Sequence, residues 1–142
     1  YIIHTHPNFT PPSAKDLLDL CLVAASPECT NICGSFVFID ENTYYALIIN
    51  DRNKAATMFK EIENEVDDTT NDFKLDGKCG KILNQYRSIN SFKSSDETAI
   101  ARLSTIINRF DGGISIVKCH ITDKSDYTTY GSEKISYKPI KC

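Results

Sequence analysis

The sequence predicts an α/β domain: a mixed β-sheet with flanking helices. Three observations carry that prediction. A strand-like start at Tyr1-Ile2-Ile3 leads directly into a stretch with helical periodicity. Two further strand-like runs, Ser35–Ile39 and Tyr44–Ile49, are joined by the polar turn Asp40-Glu41-Asn42-Thr43. A second helix-period stretch follows them. The 142 residues suffice for one ordinary domain with its own core.

Each element has its local reason. Tyr1-Ile2-Ile3 is aromatic and β-branched, which suits a buried parallel or mixed sheet, and Pro7 removes a donor and closes the ladder. Asn8-Phe9-Thr10-Pro11-Pro12 is a stiff turn. Ser13 then stands as an N-cap, with Leu17, Leu20, Cys21 and Ala24 at the spacing of one buried helix face. Ser26-Pro27 ends that helix, and Cys29–Gly34 reads as a loop. After the hairpin, Asp51 can cap a helix carrying Ala55, Phe59 and Ile62. Glu63–Asp72 is acidic and reads as a surface loop or frayed helix end. A short helix is expected over Lys81–Ile89. Ser95-Asp96-Glu97 opens an amphipathic helix with Ile100, Leu103, Ile107 and Phe110 on one face, stopped by Asp111-Gly112-Gly113. Ile114–Cys119 alternates like a strand, Thr122–Ser132 reads as a polar loop, and Lys134–Tyr137 as a last short strand before Pro139.

The most informative chemistry lies at the start. His4 and His6 are separated by one residue, so on an extended strand both rings point to the same side. They sit at a strand's carboxyl end, the place where open α/β sheets bind ligands. Asp16 falls at the third position of the helix capped by Ser13, where its carboxylate can face the strand end. Two imidazoles and a carboxylate form the ligand set of a catalytic zinc site with a fourth position open for water. The alternative is plain: Ser-x-x-Asp before an apolar run is similar to a capping box, worth about 1 kcal/mol to the helix, and needs no metal.

Together, His4-Thr5-His6-Pro7 and Ser13-Ala14-Lys15-Asp16-Leu17 resemble the signature of the JAMM/MPN-type (JAB domain) zinc metallopeptidases, which include deubiquitinating isopeptidases and prokaryotic relatives. The chain looks most like a prokaryotic-type member. Six residues separate His6 from Ser13, one fewer than the family usually has, and the double proline can tighten the loop to absorb the difference. The match is detailed over the metal loop and looser to about Asp51. The resemblance implies a three-layer, cytidine-deaminase-like fold, with residues 1–51 as the metal-loop core and 52–142 as a carboxyl-terminal elaboration of a single domain. It implies Zn²⁺ held by His4, His6 and Asp16, and Ser13 donating a hydrogen bond to the oxyanion of a tetrahedral intermediate. The reaction implied is hydrolysis of a peptide or isopeptide bond in a peptide or protein substrate. The family's general-base glutamate lies on a strand before the His-x-His segment, and only three residues precede His4. The expectation is a fragment whose upstream strands and helix lie outside this sequence; Glu28 and Glu41 match no family position. The rival reading is a non-catalytic interaction domain that keeps the fold.

Other classes gain no support. An amidohydrolase barrel shares the His-x-His strand end but needs about 250 residues. No glycine-rich phosphate loop or Gly-x-Ser-x-Gly elbow is present. A net charge of −3 with scattered lysines gives no field for nucleic acid, and no apolar run approaches the ~20 residues of a membrane span. Six cysteines, an even number, favour disulfides and an extracytoplasmic (secreted or periplasmic) location. Cys21 is expected as a core thiol. A second metal site from Cys29, Cys33, Cys119 and His120 is conceivable, although Cys-x-x-x-Cys lacks the usual knuckle spacing. Spacing alone settles neither oligomeric state nor cysteine pairing.

Overall fold

The first strand, β1 (Ile2–Thr5), lies parallel to β2 (Gly34–Phe38), with His4 opposite Val37. A parallel pair needs a crossover, and helix α1 (Ala14–Ala25) provides it. The computed structural model describes residues 1–6, 8–86, 95–127 and 133–141, those beyond 121 as backbone only. After β2 the chain turns back at Asp40 into β3 (Thr43–Ile49), the antiparallel hairpin that the sequence predicts. Three helices follow: α2 (Arg52–Ile62), α3 (Lys78–Tyr86) and α4 (Ser95–Arg109). A small hairpin of β4 (Val66–Asp67) and β5 (Asp72–Phe73) stands between α2 and α3. The chain then returns through β6 (Ile114–Tyr127) and β7 (Glu133–Lys141), giving the mixed sheet order β1-β2-β3-β6-β7.

Burial follows the periodicity. Leu17, Leu20, Cys21 and Ala24 of α1 are buried as expected, and Ala55, Met58, Leu83, Ile100, Leu103 and Ile107 join them from the other helices. That cluster packs on one sheet face through Val37, Leu47 and Ile116, so the carboxyl-terminal half closes the same core as the first fifty residues. The opposite face carries a smaller cluster, Tyr44, Ala46 and Cys119 with Phe36 and Phe38 beside them, composed of strand residues. Among the described residues every helix lies on one face. The expected second helix layer is not among them.

Several expectations are corrected. Among the described residues β1 is an edge strand rather than a buried one, paired with β2 alone, and Ile3 is 68% exposed. The acidic stretch after α2 contains the β4–β5 hairpin, whose Val66 and Phe73 reach the core while the acidic residues between them stay outside. Two isolated apolar residues gave too little periodicity to announce it. α3 begins at Lys78, earlier than expected, and residues 87–89 of that expected helix lie outside the described residues. β6 runs on through the polar stretch expected as a loop, since its backbone groups are paired by β7; residues 128–132 lie outside the described residues. Pro139 is tolerated opposite Cys119 because β7 is an edge, where a missing N–H costs no ladder bond.

Among the described residues the cysteines form none of the expected disulfides. Cys21, Cys29, Cys33, Cys79 and Cys119 are free thiols, and Cys142 lies outside the described residues. Cys21, Cys79 and Cys119 are packed in apolar surroundings, where a thiol acts as a small hydrophobe. The disulfide argument for an extracytoplasmic location therefore falls away. The conceivable Cys29/Cys33/Cys119/His120 cluster does not form among the described residues: Cys119 is buried, Cys33 is exposed, and His120 meets the hydroxyl of Thr43 at 3.1 Å. Among the described residues no helix is long and apolar enough to cross a membrane.

Arg52, the first residue of α2, holds the end of α1 in place. Its guanidinium donates to the carbonyls of Val23 (3.1 Å), Ala24 (3.3 Å), Cys29 (3.2 Å), Thr30 (3.3 Å) and Ile32. Those carbonyls belong to a helix end and the turn after it, where the regular i→i+4 ladder stops and only local bonds such as Ser26 amide to Val23 and Ile32 amide to Cys29 remain. Replacing Arg52 by Met should cost roughly 2–3 kcal/mol in urea unfolding, and Arg52→Lys should recover little, because an ammonium lacks the planar fork.

Burial pushes the thiols of Cys21 and Cys79 up to about 12, with Glu65 adding to the rise at Cys79. Both are raised above the ordinary value of 9.0, so their contribution to stability is complete below pH 9 and is lost as pH rises toward 12. Each should withdraw roughly 1.4 kcal/mol per pH unit in that window. Urea midpoints measured on both sides of pH 9 should show the fall, and Cys21→Ala should shrink it.

Candidate metal centre

β1 and α1 converge at the amino-terminal end of the helix, and the side chains singled out from the sequence meet there. Alternation along β1 puts Ile2, His4 and then His6 on the side that faces α1. Ser13 caps the helix in extended conformation, which fixes Asp16 in its first turn. The capping box is complete: Ser13 Oγ accepts from the Asp16 amide at 3.2 Å, while Asp16 Oδ2 accepts from the Ser13 amide at 2.6 Å and its hydroxyl at 2.7 Å. Yet the same carboxylate also faces the histidines. His4 Nε2 lies 2.8 Å from Asp16 Oδ1, and His6 Nε2 lies 3.3 Å from Oδ2. One side chain thus caps the helix and lies within reach of both rings.

The two rings complete the set. His4 Nε2 and His6 Nε2 are 3.2 Å apart, their ring centroids 5.1 Å. On the far side of its ring, His6 Nδ1 faces the Thr10 carbonyl at 2.9 Å and the Thr10 hydroxyl at 3.1 Å. A carbonyl only accepts, so the proton of neutral His6 sits on Nδ1 and Nε2 offers its lone pair inward. His4, His6 and Asp16 are the one group of metal-ligating side chains found among the described residues.

A test of fit is geometric. Tetrahedral zinc with bonds of about 2.0–2.1 Å separates its ligand atoms by about 3.3–3.4 Å. The separation of the two ring nitrogens, 3.2 Å, lies close to that edge, while the carboxylate meets the rings through different oxygens, Oδ1 at 2.8 Å from His4 and Oδ2 at 3.3 Å from His6. The donor set, two neutral imidazoles and one carboxylate, is of the type that binds divalent zinc. Burial is partial: the side chains of His6 and Asp16 are 16% and 11% exposed and that of His4 34%.

Ser13 is placed beside the site, but its hydroxyl hydrogen is directed to Asp16. In this arrangement it holds the Asp16 carboxylate at 2.7 Å. Thr10 escaped sequence reasoning, because its contribution is chiefly a backbone carbonyl that any residue carries; only the fold brings it to the ring.

A cleft of about 690 Å³ opens from the site. His6, Asp16 and the Asn8–Ser13 turn line one side, excepting Phe9. Asn71 and Asp72 of the β4–β5 hairpin and Ser95, Thr98 and Arg102 of α4 line the other. The walls are joined where the Lys15 amide donates to the Asn71 carbonyl at 3.3 Å, and Arg102 Nη2 braces the hairpin through both oxygens of Asp72 at 2.9 and 2.8 Å. The carboxyl-terminal half therefore builds half of the cleft, a role with no sequence signal.

No protein-family model matches the chain, and neither a curated protein nor a solved structure is significantly similar to it.

Two substitutions separate the roles of the capping box. Asp16→Ala should abolish Zn²⁺ binding in calorimetric titration and cost the fold about 1 kcal/mol. Ser13→Ala should cost a similar amount of stability but weaken zinc only 10–100-fold, as the loss of a ligand-orienting partner does.

Proposed function

We propose that this chain is a zinc-dependent hydrolase of peptide or isopeptide bonds, of the JAMM type suggested by its His-x-His and Ser-x-x-Asp segments. One observation carries the reading: two imidazole nitrogens and a carboxylate converge, His4 Nε2 lying 3.2 Å from His6 Nε2 and 2.8 Å from Asp16 Oδ1, beside a cleft large enough for a substrate segment. His4, His6 and Asp16 would hold the ion. A zinc ion in such a setting polarises a carbonyl and lowers the pKa of its water to about 7, supplying a nucleophile at neutral pH.

The chain's own groups do the rest. The Thr10 carbonyl keeps the His6 lone pair turned inward, and Ser13 holds the carboxylate against rotation. The cleft offers amide and hydroxyl groups from Asn8, Asn71, Ser95 and Thr98 that suit an extended polypeptide backbone. Glu28 and Glu41 are not among its lining residues, and the carboxylates that line it besides Asp16 are Asp72 and Asp96.

The test is elemental analysis followed by turnover. Purified protein should hold close to one zinc per chain, lost in His6→Ala, and the loaded protein should cleave internally quenched peptides or a lysine isopeptide conjugate, with cleavage abolished by His6→Ala. A protein that folds normally and takes up no zinc would sink the reading. Zinc uptake without cleavage of any amide would leave the interaction-domain alternative in its place.

A further inference from the structure

Phe9 stands in the tight turn between His6 and Thr10 with φ +55°, the left-handed region. A bulky side chain there is strained; Gly, Asn or Asp would take the same conformation at lower cost. The conformation itself has a clear purpose. It closes the turn in which the Phe9 amide donates to the His6 carbonyl at 3.1 Å, and it swings the Thr10 carbonyl onto His6 Nδ1. The side chain has none within the fold, for Phe9 is 69% exposed and belongs to neither hydrophobic cluster.

An exposed apolar residue on its own needs no explanation. Phe9 differs because its backbone asks for a small or polar residue and its side chain gains nothing from burial, so both local terms oppose phenylalanine. Strain of this kind is retained where another demand outweighs it. The position names the demand: its neighbours Asn8 and Thr10 both line the cleft, and the ring stands in the loop that connects two of the metal-binding side chains to Ser13.

We propose that Phe9 is a specificity-determining residue, whose ring receives a bulky apolar side chain of a polypeptide substrate lying along the cleft. This rests on the hydrolase reading for the identity of the site, and it adds the substrate class: a polypeptide with an aromatic or branched aliphatic residue next to the segment held by the polar cleft walls. The polar lining binds backbone, which every peptide has; the exposed Phe9 ring, outside the cleft itself but in sequence between the lining residues Asn8 and Thr10, is the apolar surface next to it that can tell one side chain from another.

The experiment uses positional-scanning peptide libraries captured on immobilised protein, with zinc content and melting temperature measured on the same samples. Wild type should enrich Phe, Tyr, Leu or Ile at one fixed position. Phe9→Gly and Phe9→Asn should lose that preference on the order of tenfold, with unchanged zinc content and a melting temperature equal to or above that of wild type. Phe9→Leu should keep most of the preference. In zinc-loaded protein that turns over, the loss should appear in KM rather than kcat. The proposal is overturned if wild type enriches no apolar residue, if Phe9→Asn keeps the preference, or if both Gly and Asn variants melt markedly lower, which would assign the ring to the fold. Preference without zinc would overturn the metal centre and leave Phe9 as the recognition residue of a peptide binder.

Discussion

The Asp16 carboxylate is the constraint on which the site and its surroundings depend. At 11% exposure a carboxylate must be satisfied nearly all round, since an unpaired buried charge costs several kcal/mol. Here Oδ2 takes the amide and hydroxyl of Ser13 and Oδ1 takes His4. These bonds start α1, fix the angle at which the chain leaves the Pro11-Pro12 turn, and hold the helix end against the carboxyl end of β1. The capping oxygen Oδ2 also lies 3.3 Å from His6 Nε2, so one carboxylate ties the helix start to both rings.

The second feature is the distance in sequence over which the cleft is assembled. Its inner wall is local, built by a turn and the first residues of α1, whereas its outer wall comes from the β4–β5 hairpin and α4. What joins them is a backbone bond from Lys15 to Asn71 and the Arg102–Asp72 pair, in which one guanidinium nitrogen serves both carboxylate oxygens. The Arg102 side chain is 18% exposed and that of Asp72 50%, so solvent screens the pair in part and its contribution is one of position more than of energy. A cleft made this way is as rigid as the core behind it, where Leu103 of α4 and Phe73 of β5 share a cluster with Leu17 of α1.

Several elements were legible because their signals are local. The α1 stripe, the β2–β3 hairpin, the Asp51 cap of α2, the α4 stripe with its Asp111-Gly112-Gly113 stop, and the face shared by His4 and His6 all follow from spacing and cap chemistry. The misreadings have a common cause. β4 and β5 are too short for periodicity to show, and the later part of β6 is polar, so its strand state comes from pairing with β7 rather than from burial. The burial expected of β1 was wrong for the complementary reason: β-branched residues suit an edge as well as a centre. The even count of cysteines pointed to disulfides, but three of the thiols fill core space instead.

By itself, then, the sequence determined the identity and spacing of the donor atoms: two imidazoles with strand alternation and a carboxylate one turn into a capped helix. Those are matters of short-range geometry, which the chain carries wherever it goes. Only the tertiary structure decided that the donors converge, which nitrogen of His6 is left bare, and what stands across the cleft. Each of these depends on groups brought together from separate elements, above all the Thr10 carbonyl and the walls supplied by residues 70–72 and 95–103, and no local pattern encodes a contact of that kind.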